Sequence, residues 1–509
     1  MAATQSKKTM QLNIIDNTST GGHMAVGQWK DPKSMTRHKD RLDYYVWLAK
    51  TAEKGKITSI FFADIYGIHE TYGANADATF KGGLWVAMLD PVTVIGAMAQ
   101  ATKSIGFAVT QSTSYLSPYA VARTLSSLDH ITDGRVGINV VTSFGKAPAK
   151  CFGIEDAVPH DERYAAAEEY MEILYKLWEQ SWEDGAQVWS VEPEMAYDPS
   201  KIHKIDFEGK YHKFSGYHQT HPSPQRTPCI FQAGQSKSGV AFAGKHAEGI
   251  YCGTPTIGAL QKYSASVRES ARAAGRDPST IKLFCSLCPI VGRTEEEAQA
   301  KFERYKKNAS VQGGLSSFCA LTGVDLSKYD LDQPFNFDDE ELSKAGIQGI
   351  FNNFKIVEAG KQWTPRMVGE RVGLGGFGPM PVGTPEMVAD VMEKWFVEGD
   401  IDGFNISYQC NPESIEDLVE LLIPELQKRG IYWNDYPAPE GTLRENMQQS
   451  PGQPLAAQDH IAAKLRWDNV KSAKEEEITS KSLGQVDLNK SPIVAAAEVV
   501  TSATITASA

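Results

Sequence analysis

The chain is predicted to fold as an α/β protein, a (β/α)8 barrel of parallel strands with insertions and a disordered C-terminal tail. Three observations carry this reading: eight apolar strand-like runs, helical patterns between most of them, and small polar residues where the runs end. The strand candidates fall at 11–16, 57–64, 104–113, 135–143, 228–234, 248–253, 281–292 and 402–408. Strands alternating with helices predict parallel pairing through right-handed crossovers, and eight such units close into a barrel. A doubly wound sheet is the runner-up. It fits less well because the first strand lacks a Gly-x-Gly-x-x-Gly turn.

Helical patterns lie at 36–55, 91–103, 118–130, 160–181, 237–247, 256–275, 294–308, 384–399 and 411–429. Asp90-Pro91, Ser117-Pro118, Thr384-Pro385 and Asn411-Pro412 each place a capping residue before proline, as helix starts do. Gly430 after Lys428-Arg429 reads as a helix stop. The clearest strand is Gly134 to Ser143, an apolar run bounded by Gly and by Thr-Ser, as expected of a parallel strand buried on both faces.

Two long segments interrupt the repeat, an aromatic and Pro-containing one at 182–227 and a Gly- and Phe-rich one at 309–383. Segments of that size inside a compact domain are usually functional, and the second suits a lid. The expected organisation is a flexible N-terminus at 1–10, a barrel at 11–439 carrying both insertions, and a tail at 440–509 rich in Gln, Ser, Pro, Lys and Ala.

With 41% hydrophobic and 22% charged residues, the composition is that of a globular protein with a large core. A net charge of −12 without a Lys/Arg run argues against a nucleic-acid surface. The start lacks the apolar core of a secretory signal and no apolar stretch approaches the ~20 residues that span a bilayer, so a cytoplasmic protein is expected. Seven scattered cysteines make no disulfide framework, and Cys285-Ser286-Leu287-Cys288 lies within a strand run without a second Cys/His pair, so core packing is expected and no metal site.

In such barrels ligands sit where the strands end. Strand two ends at Asp64, strand three in Thr110 to Thr113, and strand four in Asn139 to Ser143. Strand five ends in Gln232-Ala233-Gly234, after which Gln235-Ser236-Lys237-Ser238-Gly239 opens a helix. A Gly/Ser-rich turn at a helix N-terminus can hold a phosphate through amides and hydroxyls. Singly, each feature has an ordinary reading: Asp64 as a cap, the Gly-Gln-Ser-Lys-Ser-Gly turn as a loop, Tyr164 as core. Together they indicate a phosphate-bearing, largely apolar ligand in the barrel mouth.

At these residues the chain resembles the flavin-dependent monooxygenases of the bacterial luciferase-like superfamily, in the branch of nitrilotriacetate, dibenzothiophene-sulfone and long-chain alkane monooxygenases. The resemblance spans about residues 11–436. Its carriers are Ile60 to Asp64, Ser117 to Arg123, Leu128-Asp129-His130, Asn139 to Ser143, His160-Asp161-Glu162-Arg163-Tyr164 and Gln232-Ala233-Gly234. It implies a TIM barrel in which Asp64 and Thr110 meet the flavin ring or ribityl chain and Asn139 lines the same pocket. His160 and Tyr164 would lie on the phosphate side, Ser236 and Ser238 would hold the phosphate, and Arg163 would add charge or pair with a carboxylate. His23 matches a proposed active-site histidine of the alkane-oxidising relatives, and His69 is the second candidate. Some relatives carry a histidine where this chain has Phe144.

The resemblance also implies the chemistry. Reduced FMN and dioxygen would form a flavin C4a-hydroperoxide that oxidises a small organic substrate at a C–N, C–S or C–H bond. With no dinucleotide fingerprint and no second domain, the reduced flavin is expected from a separate NAD(P)H:flavin reductase, and the chain is expected to form a dimer or tetramer. A deazaflavin-dependent oxidoreductase and a non-catalytic flavin-binding barrel are the competing readings. The aromatic residues of the insertions favour apolar pocket walls, and Lys355, Lys361, Arg366 and Arg371 read as a solvated face.

Overall fold

In a computed structural model, described here for residues 8–21, 24–143, 145–155, 158–335, 362–375 and 378–472, eight parallel strands close into one barrel in sequence order. They are β1 (Gln11–Asp16), β2 (Ser59–Phe62), β3 (Gly106–Ser112), β4 (Val136–Val141), β5 (Cys229–Gln232), β6 (Gly249–Cys252), β7 (Lys282–Leu287) and β8 (Gly403–Ile406). β1 closes the cylinder by pairing with both β8 and β2. Each of the eight expected strands is present.

The helices that return the chain are α1 (Leu42–Lys54), α2 (Val92–Gln100), α3 (Pro118–Ile131), α4 (His160–Tyr175), α5 (Lys237–His246), α6 (Ile257–Ala273) and α7 (Pro385–Glu398). The last, α8, starts as Glu413–Asp417 and passes through a π-helical stretch, Leu418–Leu422, into Ile423–Lys428. Strand alternation sorts side chains between two cores. Val136, Ile138 and Val140 of β4, like Phe107 and Val109 of β3, pack outward against the helices. Ala108, Phe231, Tyr251 and Phe284 fill the barrel interior. Gly137 is required there, because a Cβ would lie 2.7 Å from the Phe231 ring.

At the carboxyl end of β1 a charged pair is wholly buried. Lys39 Nζ donates to Asp16 Oδ1, to the Asn17 carbonyl at 3.0 Å and to the Tyr408 hydroxyl at 2.7 Å, while Tyr44 OH donates to Asp16 Oδ2 at 2.8 Å. Three ammonium donors meet three acceptors, which is what makes a buried lysine tolerable. Burial still pulls the Lys39 pKa down, opposed by Asp16.

The two insertions differ in place. The first follows α4 and forms hairpins Gln187–Ser190/Met195–Tyr197 and Ile205–Glu208/Lys213–Gly216. It begins at the end of the barrel opposite the mouth, because α4 runs antiparallel to the strands. Its 209–212 turn lies along α4, where Glu169 accepts the amides of Lys210, Tyr211 and His212 at 2.8–2.9 Å, and Tyr211 and Lys210 approach Glu162 in the first turn. The second insertion leaves from the mouth side of β7. Its helices Val311–Thr322 and Pro365–Gly375 pack closely through Gly314, Gly369 and Gly373, and the first also meets helix Asp77–Gly82 at Gly313. Lys355 and Lys361 lie outside the described residues, and Arg366 is half-buried and paired with Asp332.

Both expected boundaries move outward. Met10 is fully buried and its amide bonds the Ile431 carbonyl at 2.8 Å. Past residue 439 the chain remains folded: helix Leu443–Gln448, opened by a Thr442/Glu445 capping box, drives Leu443 and Met447 into the open base of the barrel. Between them Arg444 is buried on Glu248, with bonds of 2.7 and 2.8 Å. Composition missed this segment because two apolar side chains four residues apart make no visible amphipathic pattern. They fill a hole that only the closed barrel creates. Residues 473–509 of the expected tail lie outside the described residues.

Candidate active site

The strand ends of β2 to β5 bring most of the expected residues to one side of the mouth. Thr110 and Asn139 are register partners on β3 and β4, both nearly fully buried and both on the barrel-interior face by alternation. Thr110 Oγ1 donates to the Phe62 carbonyl at 2.9 Å and accepts from Asn139 Nδ2 at 3.0 Å. Asn139 Oδ1 has no partner among the described residues. A buried amide oxygen without a donor is costly, and at a strand end it marks the place of a ligand N–H or a water. Asp64, beyond β2, accepts only its neighbour's amide among the described residues, Ile65 N at 2.8 Å. Burial raises its carboxyl pKa to about 6, and the charge of Asp90 acts in the same direction.

The other end of the site is built from two helix N-termini. Ser236 caps α5 by accepting the Gly239 amide at 3.1 Å, and the first-turn amides of Lys237 and Ser238 have no intrahelical acceptor. Tyr164 of α4 reaches this turn through a glycine cradle. A Cβ on either Gly234 or Gly239 would stand 2.8 Å from its hydroxyl. That hydroxyl faces the side chains of Ser236, Thr142 and Gln232, and burial raises its pKa.

His160 and Ser238 meet through a residue that the sequence alone did not single out. Asp161 Oδ1 accepts from Ser238 Oγ at 2.8 Å and bonds His160 Nδ1 at 2.9 Å. Those bonds hold its carboxyl below the usual range. Asp161 thus stands where the dipole of α5 favours an anion, and its carboxylate occupies the groups a phosphate would use. Its place at the head of α4 is visible in the sequence, but nothing local marks its reach to the next helix.

Arg163 does not join this cluster. Its Nη1 donates to the Val158 carbonyl at 2.7 Å, and its side chain lines a neighbouring cavity that includes Ser143 but none of Tyr164, Ser236 and Ser238. Of the two catalytic candidates, His23 lies outside the described residues. The chain beside it is held close, since Gly21 packs directly on Gly83 and Ser310 N bonds the Val26 carbonyl at 2.9 Å. His69 is buried edge-on to Trp85, with ring centroids 5.6 Å apart, and burial lowers its pKa to about 4. It is neutral at pH 7, so it can hydrogen-bond but cannot serve as a standing cation. Tyr66, Tyr115 and Phe152 add an aromatic wall at the ends of β2, β3 and β4, with Tyr115 and Phe152 stacked at 4.7 Å.

The residues present fit a flavin mononucleotide. Asn139 Oδ1 offers an unused buried acceptor for a ring or ribityl donor, and the α5 turn offers amides, hydroxyls and a carboxylate that a phosphate can replace.

Comparison with known proteins identifies the family of the chain. Residues 17–402 match the family profile of the luciferase-like monooxygenases. The chain is 40% identical over 459 residues to the long-chain alkane monooxygenase of Geobacillus thermodenitrificans (strain NG80-2), covering 90% of this chain and 98% of that protein. A crystal structure of long-chain alkane monooxygenase superposes with a TM-score of 0.81 at 39% identity, over 91% of this chain and 100% of that one. A riboflavin lyase solved with a modified FMN and riboflavin superposes with a TM-score of 0.79 at 32% identity, over 90% of this chain and 100% of that one.

Proposed function

The chain belongs to the luciferase-like monooxygenases and is a flavin-dependent monooxygenase, and from that premise we propose that it works with FMN reduced by a separate NAD(P)H:flavin reductase. The observation that carries the cofactor reading is the pairing of an unpartnered buried acceptor, Asn139 Oδ1, with an anion-ready α5 turn on the same side of the mouth. Held by Thr110, Asn139, Tyr164 and the α5 turn, reduced FMN would supply the oxygen-activating chemistry, by the expected C4a-hydroperoxide route, for oxidising a small organic substrate at a C–N, C–S or C–H bond.

The protein's own residues bind, orient and shield. Thr110 and Asn139 fix one edge of the ring or ribityl chain, with Asp64 beside them. Tyr164, Ser236, Ser238 and His160 take the phosphate as Asp161 withdraws, while Arg163, turned to the neighbouring cavity, is left out of the phosphate site. The lid helices and the aromatic wall exclude water from the mouth, which protects a reactive oxygen species from premature loss. His23 is the proposed proton handler, and His69 a neutral hydrogen-bonding partner. The protein is proposed to act as a homodimer or homotetramer.

The test is oxygen uptake with a flavin reductase, NADH and FMN, read alongside anaerobic titration with reduced FMN and reduced riboflavin. Tighter binding of FMN than of riboflavin, with substrate-dependent oxygen uptake, is expected. Equal binding of the two flavins contradicts the phosphate assignment. Oxygen uptake unchanged by the protein and by candidate substrates, with all of it recovered as hydrogen peroxide, contradicts the oxygenase assignment.

A further inference from the structure

A cavity of about 380 Å³ lies between the N-terminal half of α4, the ends of β3 and β4, and the 209–212 turn of the first insertion. That is within the usual size range of small-molecule sites. Its walls include Tyr115, Ile154, Arg163, Tyr211 and His212, so they combine aromatic, aliphatic and polar groups.

Two of the polar groups, on Arg163 and His212, are left without partners among the described residues. Arg163 makes no ion pair among the described residues, its Nε has no acceptor there, and burial lowers its pKa because no carboxylate compensates. A half-buried guanidinium left unpaired at a cavity wall is an anion receptor in waiting. His212 packs on Tyr170 with ring centroids 5.6 Å apart, and its Nε2, buried in the cavity wall, has no partner among the described residues. The wall that presents His212 and Tyr211 is fixed in place, since Glu169 accepts three successive amides of that turn and Gly209 leaves no room for a Cβ beside it.

One more group sets the charge of the ligand. Glu162 shares the cavity wall, with Lys210 3.6 Å away and Tyr211 OH at 3.4 Å. A carboxylate at the rim opposes a dianion and leaves the balance suited to a single negative charge. A phosphate monoester therefore fits the α5 turn better than it fits here.

We propose that this cavity binds a small organic monoacid, anchored by Arg163, next to the flavin site and without overlap with it. Titration calorimetry of 4-hydroxybenzoate into the full-length protein, with and without saturating FMN, tests this. The expected affinity is the same within about twofold in both states, at least tenfold weaker for Arg163→Gln, and about threefold tighter for Glu162→Gln, which removes a repelling charge at the half-buried rim. The neutral amide, 4-hydroxybenzamide, is expected to bind at least tenfold more weakly. Competition between FMN and the acid overturns the proposal, because the cavity then belongs to the flavin. Equal binding of acid and amide, or no binding to the flavin-free protein, also overturns it. Since the flavin-free titration needs no bound cofactor, a failure of the flavin reading is recognised separately.

Discussion

The two sides of the barrel mouth are both polar, yet they are polar in opposite ways. At β1 and β8 the Asp16–Lys39 pair is closed: every ammonium donor of Lys39 has an acceptor, and both Asp16 oxygens are bonded. At β2 to β5 the groups are open. Among the described residues Asn139 Oδ1 is unpartnered, Asp64 holds only its neighbour's amide, and Ser238 and His160 share an exposed carboxylate. The closed side is scaffold, and the open side carries the groups proposed to meet the flavin. Polarity at a strand end therefore says little until its hydrogen bonds are counted.

Breaking the closed side is expected to have the largest effect. Lys39→Met leaves Asp16 buried without its countercharge and should cost about 3–5 kcal/mol of stability, read as a shift in the denaturant midpoint. Adding Asp16→Asn should recover part of that loss, whereas no recovery would mean that Lys39 acts by packing alone.

On the open side the expected cost falls on the ligand. Asn139→Leu should weaken FMN binding about tenfold, with little change in unfolding midpoint, because Thr110 keeps its bond to the Phe62 carbonyl. A large stability loss with unchanged FMN affinity would place Asn139 with the scaffold.

Titration separates half-buried Asp64 from buried His69. Asp64 has a folded pKa near 6, above the ordinary 3.8, so the native state holds its proton more tightly than the unfolded chain. Its contribution to stability is full below about pH 4 and is lost as pH rises to 6. Thermal unfolding of wild type against Asp64→Asn should show the wild type losing ground over that window. His69, lowered to about 4, has the opposite sign: its contribution is present above pH 6.5 and lost as pH falls toward 4. A transition near pH 6 in kcat/KM is expected to disappear in Asp64→Asn and to survive in His69→Gln.

The smallest expected effect is a gain. Asp161→Asn removes the carboxylate that occupies the α5 turn and should tighten FMN about two- to threefold, more at low salt than at high. Weaker FMN binding in this variant would mean that Asp161 supports the phosphate site instead of competing for it.

Much of the barrel and part of its mouth are legible in the amino-acid sequence. The strands and barrel helices announce themselves through period, flanking glycines and Pro-marked caps, which are local properties. Asp64, Thr110, Asn139, Tyr164, Ser236 and Ser238 are readable as strand-end or helix-start residues because a barrel collects such positions at one end. What stays hidden depends on distant chain. Asp16 and Lys39 look like an ordinary strand end and a surface lysine until Tyr408, 369 residues after Lys39, closes over them. Asp161 belongs to a recognised motif, yet its partner Ser238 lies 77 residues away. Leu443 and Met447 read as tail because their only hydrophobic environment is the base of the finished barrel.

The most direct test of the account is to mix the anaerobic protein carrying reduced FMN with oxygenated buffer and follow the absorbance of the flavin. The account predicts a transient species that outlives anything seen with free reduced FMN, and that decays faster in Asn139→Leu. Reoxidation indistinguishable from that of free flavin, with no retention of FMN by the protein, would contradict it.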